Sequence, residues 1–256
     1  MSPIYAIAMN TFKEALRYRI LYLLLIFAII LIAFSKLLGL LTVGAEDKVI
    51  KDLGLAAISF FGILSSIFVG IHLVSSEIEK KTIYTVISKP VGRHQFILGK
   101  YFGLLFTLLT NLVFMTAVFY FVLYVRIGVV DLGLLKATLL FYFEFMVVTA
   151  FAIFFSSFTS PILSAVLSLL MYFIGHLSFG LKEFAANEKL PAAWKGVLSF
   201  LYYIAPNLES FNVKGEAVYG DPISLGFIFT SGAYGIAYSS AILLFSILIF
   251  NKRDFT

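Results

Sequence analysis

The side chains that could do chemistry in this sequence are concentrated in one polar stretch, residues 76–100, between two long apolar runs. The stretch contains two glutamates, four lysines and one arginine, namely Glu77, Glu79, Lys80, Lys81, Lys89, Arg93 and Lys100. A helix carrying these charges, with Ile83 and Ile87 on one face, suits docking to a soluble partner. Composition alone favours a plainer alternative, a solvated loop whose lysines follow the positive-inside rule.

Glu144 is the one acidic side chain that we expect inside the hydrocarbon, in the middle of the fourth apolar run. An ionisable side chain at that depth is energetically costly, and it marks a pathway, a proton site or an interhelical contact. Two interpretations stay open. Glu144 either faces the interior of the bundle or dimer as a translocation or proton site, or it is a protonated carboxyl that holds two helices together.

The residue types needed for nucleotide hydrolysis or metal binding do not occur at the required spacing. A phosphate-binding loop needs Gly-x-x-x-x-Gly-Lys-Ser/Thr, whereas the pair Gly99-Lys100 is followed by Tyr101 and has His94 at the first glycine position. The histidines lack paired ligand spacing, so we expect all three to be structural: His72, His94 and His176. We expect no catalytic, cofactor or metal site in this chain, and we do not expect an enzyme.

The bulk composition indicates an integral membrane protein. Of 256 residues, 61% are hydrophobic and 13% are charged, whereas soluble domains carry about 25% charged residues. Since each spanning helix needs roughly 20 apolar residues, the chain has room for about six. We therefore predict one all-α transmembrane domain over residues 1–256. The formal net charge of +5 is too small to indicate nucleic acid, and the positive-inside rule accounts for it better.

The apolar runs predict spans near residues 20–41, 53–76, 101–125, 134–155, 162–181 and 223–250. No charge occurs from residue 145 to residue 181, and a helix of that length would exceed a ~30 Å hydrocarbon core. Pro161 and the hydroxyl residues before it favour a break in this run. Small residues at spacings of three and four predict close packing of the second span, within the bundle or between subunits: Gly62, Ser65, Ser66 and Gly70.

The N-terminal residues 1–19 predict an amphipathic helix with Lys13 and Arg17 on its polar side. We expect this helix to lie in the lipid headgroup region, although a solvated arm would fit the same pattern. The positive-inside rule places the polar stretch and both termini in the cytoplasm.

A longer polar segment, residues 182–222, precedes the last span. We expect it outside the membrane, with a short interfacial or re-entrant helix bounded by Pro191 and Pro206. A separate extramembrane domain is not expected there.

The polar stretch resembles a known cytoplasmic signature. Its order of residues is Glu77-x-Glu79-x-x-Thr82, then Ser88-Lys89-Pro90-Val91-x-Arg93, then Gly99-Lys100. This order is similar to the segment between the second and third spans of ABC-transporter permeases of the type-2 exporter (ABC-2) family. The N-terminal helix, the break at Pro161, the external segment and the basic tail are similar as well, so the resemblance covers nearly the whole chain. Lys81 stands where that family usually has glycine.

The resemblance implies a half-transporter, a permease that works as a homodimer or heterodimer with a separate ATP-binding subunit. That subunit would hold ATP and Mg²⁺, and it would contact the N-terminal helix and the polar stretch. By position, the coupling residues would be Glu77, Glu79, Lys80, Lys81, Thr82, Pro90, Arg93 and Lys100. Export is the implied direction, and a bacterial or archaeal cytoplasmic (inner) membrane is the implied location.

Another function class stays open, a proton-coupled carrier or channel that works without an ATPase. It would rest on Glu144 and the polar break at Pro161, and it predicts an inverted internal repeat, which we do not find in the two halves of the sequence. A membrane-embedded enzyme would need acid, base or metal ligands clustered at one depth, and sequence spacing predicts no such cluster. The spans carry no dense charged lining that would indicate a substrate class.

Overall fold

The computed structural model describes residues 2–39, 46–79, 92–128, 131–178, 180 and 191–252. Over these residues the regular elements are helices, without a strand. In chain order the helices are α1 Pro3–Ala15, α2 Arg19–Gly39, α3 Glu46–Glu79, α4 Arg93–Ile127, α5 Leu132–Ser156, α6 Pro161–His176, α7 Ala192–Ile204, α8 Lys214–Tyr219 and α9 Leu225–Lys252. A 3₁₀ turn, Leu208–Phe211, lies between α7 and α8.

Five of the described helices, α2, α3, α4, α5 and α9, are long and apolar enough to cross a membrane. The prediction of an all-α membrane protein is therefore confirmed. The fifth predicted span is the short helix α6, whose 16 residues end at His176 instead of near residue 181. At 1.5 Å per residue, α6 extends about 24 Å, less than the ~30 Å of a hydrocarbon core. A turn at Leu177 interrupts the helix there, and the hydroxyl of Ser178, which is helical again, donates to Oδ1 of Asn207 over 3.2 Å.

The predicted break at Pro161 is confirmed. Helix α5 ends at Ser156, and Pro161 occupies the first turn of α6 with Ser160 as its N-cap. Proline suits this position because its missing N–H would have no helical partner there. The hydroxyl oxygens of Thr159 and Ser164 lie 2.7 Å apart across the turn. This hydrogen bond satisfies two hydroxyls of a polar turn that lies between two apolar helices.

The bundle is centred on α3 and α5, which are the most buried of the long helices, whereas α2 and α9 leave much of their apolar surface exposed. The predicted small-residue stripe of α3 packs inside this chain. The ring of Phe145 on α5 fills the space beside Gly62, and the Ala152 Cβ would lie 3.3 Å from a Cβ on Gly70. From α4, the Asn111 amide donates to the Ser65 hydroxyl over 3.3 Å. The stripe therefore brings α3 close to its neighbours in the same chain.

Residues 191–222, the segment before the last span, return into the bundle. The short helix expected between Pro191 and Pro206 is α7, but the 3₁₀ turn and α8 were not expected. Leu208 and Phe211 of the turn are buried in the main hydrophobic cluster, and Leu208 packs directly against Gly175 near the end of α6. The segment therefore completes the bundle beside the short helix α6.

One ion pair fastens three helices at the end of the bundle opposite the termini. The Lys51 ammonium of α3 lies 2.9 Å from an oxygen of Asp131, the N-cap of α5. The same carboxylate accepts a hydrogen bond from the Gly133 N–H, and the Tyr120 hydroxyl of α4 donates to the Asp131 carbonyl oxygen. Burial opposes ionisation of Asp131, but the hydrogen bonds from Lys51 and Gly133 outweigh it, so the pKa of Asp131 lies below its usual value.

This arrangement predicts a pH-dependent contribution of Asp131 to stability. Asp131→Asn keeps a good N-cap but removes a partly exposed ion pair worth up to about 1 kcal/mol, which is roughly 2–4 °C in Tm for a chain of this size. Because its pKa is lowered, the contribution should be complete above the ordinary aspartate pKa of about 3.9. It should disappear as the pH falls through the lowered pKa of Asp131.

Thermal unfolding in detergent, followed from neutral to acidic pH, checks this. The Tm difference between the wild type and Asp131→Asn should shrink to zero in acid. The matched control is Asp52→Asn, which removes an exposed carboxylate beside Lys51 on α3 and should leave Tm unchanged. A Tm difference for Asp131→Asn that stays constant into acid would contradict the account.

Candidate functional site

Helix α1 lies against the first half of α4 in a contact that only glycine permits. A Cβ on Gly103 would lie 2.5 Å from the Ala8 carbonyl oxygen and 2.6 Å from the Thr11 Cβ, and one on Gly99 would lie 2.6 Å from the Ile7 Cβ. Real Cβ atoms do not approach backbone so closely, so the two helices touch along their backbones. Because α1 is held this closely, it is a fixed part of the bundle.

The two sides of α1 differ in what they contact. Ala8, Thr11 and Ala15 are buried against the bundle. Lys13 is exposed, as expected for the polar side of an amphipathic helix. The helix is shorter than the predicted residues 1–19, so Arg17, which is also exposed, lies in the turn after α1. The apolar side chains of α1 are divided between the bundle and the surface, because the buried side is centred on small residues. Large ones such as Tyr5 and Met9 stay exposed at 50% and 37% and would be free to contact headgroups.

A buried ammonium strengthens the same contact. Lys100 of α4 is 1% exposed, and its Nζ lies 3.4 Å from Glu14 Oε2 on α1 and 5.9 Å from the centre of the Phe96 ring. A buried charge of this kind is tolerated only with a counter-charge or hydrogen-bond partners. Sequence reasoning assigned Lys100 to the partner-binding region, but its ammonium lies inside the protein, where it links α4 to α1.

Arg93, another predicted coupling residue, joins the start of α4 to the end of α9. Its Nη1 donates to the carbonyl oxygens of Phe250, at 3.0 Å, and Asn251, at 2.9 Å. The last carbonyls of a helix have no partner in their own helix, so a guanidinium is well suited to bind them. The Phe96 and Phe250 rings stack beside this contact, with centroids 5.8 Å apart.

These contacts define a unit that we call the terminal frame: α1, residues 92–103 of the chain and the last turn of α9 at residues 250–252. Both ends of the polar stretch lead to this face. Glu77 and Glu79 form the last turn of α3, and Arg93 begins α4. The predicted coupling residues between them lie outside the described residues: Lys80, Lys81, Thr82 and Pro90. A further contact, the stacking of Tyr18 on His72 at 4.1 Å, ties the α1–α2 turn to α3.

Glu144 faces the interior of the bundle, where it contacts a histidine. It is 1% exposed, and its Oε1 lies 2.8 Å from Nε2 of His176 at the end of α6. The other ring nitrogen, Nδ1, lies 3.0 Å from Oε2 of Glu209 in the 3₁₀ turn. Three ionisable side chains from three elements therefore meet at the middle of α5.

Sequence reasoning found Glu144 but missed its partners, and it predicted no cluster of ionisable groups at one depth. His176 lies 32 residues from Glu144 and 33 residues from Glu209 along the chain, so spacing on one helix could not reveal the cluster. The available signal was the position of His176 near the end of an apolar run. Over the described residues, no group of three or more His, Cys, Asp or Glu has the geometry of a metal site.

Comparison with protein families identifies a match over nearly the whole chain. The family profile described as ABC-2 family transporter protein matches residues 5–255, a range that includes the terminal frame, the polar stretch and the Glu144 cluster. Comparison with curated proteins finds no match to the chain.

The close contact of α1 with α4 predicts that the methyl group of Gly103→Ala will loosen α1. Overpacking of this kind costs typically about 1–3 kcal/mol, so the detached fraction of α1 should rise roughly tenfold or more. Trypsin cleavage after the exposed residues Lys13 and Arg17, followed by mass spectrometry, measures that fraction. The control is Gly215→Ala on α8, where no atom lies within 4 Å of the added methyl. Equal cleavage rates in the two variants would contradict the packing argument.

Proposed function

Because the chain belongs to the ABC-2 family of transporter proteins, we propose that it couples ATP hydrolysis in a separate subunit to substrate export. Family membership makes it a membrane permease component of an ABC transporter. We propose that two permeases, either two copies of this chain or this chain and a related one, work with two ATPase subunits. ATP and Mg²⁺ would bind those subunits, where the hydrolysis would take place.

The terminal frame is the observation that carries this proposal. A soluble ATPase can do work on membrane helices only through an element that does not yield when it is pushed. Backbone contact at Gly103, the Lys100–Glu14 ion pair and the bonds from Arg93 join α1, α4 and α9 at one face. Force applied to α1 or to the start of α4 would therefore reach two long helices together.

The charged residues divide into two roles under this proposal. Lys13 on α1 and Arg17 in the turn after it are exposed, and they would contact the ATPase together with Glu77, Glu79, Lys80, Lys81, Thr82 and Pro90. Charges at such an interface fix its register and increase the association rate. Arg93 and Lys100 would hold the terminal frame together instead of contacting the ATPase, because their described contacts are with α9 and α1.

The mechanism would be alternating access or lateral opening at the interface between two permeases. ATP binding would bias this equilibrium by closing the ATPases against the terminal frame. Helices α2 and α9 carry large exposed apolar side chains, for example Phe27 and Phe245, which either lipid or a second permease would cover. The proposal places both termini in the cytoplasm, at the inner membrane of a bacterium or archaeon.

A second candidate function is a proton-coupled carrier or channel that needs no ATPase. The contacts of Glu144 with His176 and, through the ring, with Glu209 favour this candidate, because such groups form proton pathways in membranes. It leaves the terminal frame without a role, so we rank it second.

Co-purification from native membranes in mild detergent tests the proposal. A tagged chain should bring an ATPase subunit with it. Glu79→Lys should reduce the recovered ATPase at least tenfold, since a reversed charge at the end of α3 would repel its partner group. The matched control is Glu216→Lys, the same charge reversal at an exposed position on α8, which should retain the ATPase.

Two outcomes would count against the proposal. A chain that purifies without any ATPase, under conditions that preserve other such complexes, would favour the lone carrier. Equal recovery with Glu79→Lys and Glu216→Lys would remove the polar stretch from the interface.

A further inference from the structure

The hydrogen bonds of His176 require one more hydrogen than its neutral ring supplies. Nε2 lies 2.8 Å from Glu144 Oε1, and Nδ1 lies 3.0 Å from Glu209 Oε2. Each contact between nitrogen and oxygen at this distance needs a hydrogen between the atoms. A neutral imidazole carries one hydrogen and an ionised carboxylate carries none. We propose that Glu144, His176 and Glu209 form a proton-binding site, with the second hydrogen taken up from water.

Exposure differs sharply along the three side chains, and this sets where charge can reside. Glu144 is 1% exposed, the ring 21% and Glu209 45%. With two hydrogens bound, the three groups share one net negative charge. A carboxylate without water is costly unless it is paired, whereas Glu209 can keep its charge solvated. The bound proton therefore neutralises the buried end of the site, and the exposed end carries the charge.

The same geometry gives the proton a route. A proton from water binds Glu209 Oε2 and passes to Nδ1, while the hydrogen on Nε2 passes to Glu144 Oε1. The ring exchanges one tautomer for the other, Glu209 returns to its ionised form, and the net charge of the site rises by one. His176 is thus the relay between an accessible carboxylate and a buried one.

The side chains closest to the site supply hydrogen bonds and aromatic surface. The Tyr172 ring of α6 meets the His176 ring edge-on at 4.7 Å, and the Asn212 amide donates to Glu209 Oε1 over 2.9 Å. On α8, the Lys214 ammonium lies over the Phe141 ring, 5.6 Å from its centre. Among the described residues, no Lys or Arg forms an ion pair with either carboxylate of the site. A bound proton is thus the remaining source of positive charge.

The long helices packed around α5 carry their charged residues towards their ends. Helix α3 has no ionisable residue between Asp52 and His72. On α9 the ionisable residues before Lys252 are Tyr234, whose hydroxyl accepts from the Asn207 N–H, and Tyr238, which donates to the Ile204 carbonyl oxygen.

On the side facing α4, hydroxyls bond to the backbone. Tyr101 of α4 donates to the Met146 carbonyl oxygen, and Tyr142 of α5 donates to that of Leu105. On α8, Glu216 is exposed. We therefore expect a change of pH near neutrality to act on this site through the protonation of Glu144, His176 and Glu209 themselves.

Loss of the second proton would break the polar contact between the 3₁₀ turn and α6. With one hydrogen left for two contacts, the buried Glu144 keeps it, because an unpaired carboxylate there costs more than at Glu209. The Nδ1–Glu209 contact then becomes a contact between two acceptors, which repel. The turn Leu208–Phe211 would stay in the bundle through Leu208, Phe211 and the hydrogen bond from Ser231 to the Ser210 carbonyl oxygen, but it would lose its polar attachment to α6. Proton binding at the site therefore fastens the turn Leu208–Phe211 to α6, whichever way transport is powered.

The protonation state of Nδ1 tests this inference directly. His72→Asn and His94→Asn leave His176 as the one histidine, and ¹⁵N-labelled histidine then reports each ring nitrogen by NMR in detergent or bilayers. Near pH 7, Nδ1 should carry a hydrogen, which it should lose as the pH rises. Glu209→Gln removes the negative acceptor, so proton affinity should fall about tenfold, a shift of about one pH unit in the half-point.

Glu216→Gln is the matched control, and it should leave the half-point unchanged. Because Glu209 is half exposed, Glu209→Gln should fold with a Tm close to that of the wild type. If Nδ1 of His176 carries no hydrogen in the wild type from pH 6 upwards, that result alone would overturn the proposal. Equal half-points in the wild type and Glu209→Gln would overturn it as well.

Discussion

Backbone contact between α1 and α4 is the constraint on which the rest of the structure depends. Glycine at positions 99 and 103 lets a helix with exposed charges lie directly on a long apolar helix. That approach buries the Lys100 ammonium beside Glu14, and Arg93, about two turns earlier, then reaches the end of α9. A peripheral helix becomes part of the bundle in this way, and its charged side remains free for a partner.

Three sites in the described part of the bundle hold ionisable side chains with specific partners, as expected where an isolated charge in hydrocarbon is costly. Lys51 and Asp131 close one end, the terminal frame closes the other, and His176 bridges two carboxylates between them. Helix α5 takes part in two of these three sites and packs on α3, α4, α6 and α9. A displacement that starts at the frame would therefore reach the proton site through α5.

Hydropathy and proline chemistry were sufficient to predict most of the fold, since both act locally. Six apolar runs and the break at Pro161 follow from them. The end of α6 at His176 and the 3₁₀ turn did not, because both depend on hydrogen bonds between segments more than 30 residues apart. The burial of Lys100 could not be predicted for a related reason: a charge near a span end normally faces water, and its partner Glu14 lies 86 residues away. Whether a charged side chain is buried depends on its partner as well as on its own position in the sequence.

The central claim is that α1 and α4 move as one body when the ATPase acts. The chain has no cysteine, so Asn10→Cys on α1 and Phe121→Cys on α4, both exposed, accept two spin labels. Gly103 and Phe121 are about 27 Å apart along α4, a separation suited to double electron–electron resonance. Labelled chains diluted with unlabelled ones report the distance within one permease. We expect the same distance in the ATP-free and ATP-bound complex, and a shift between the two states would contradict the account.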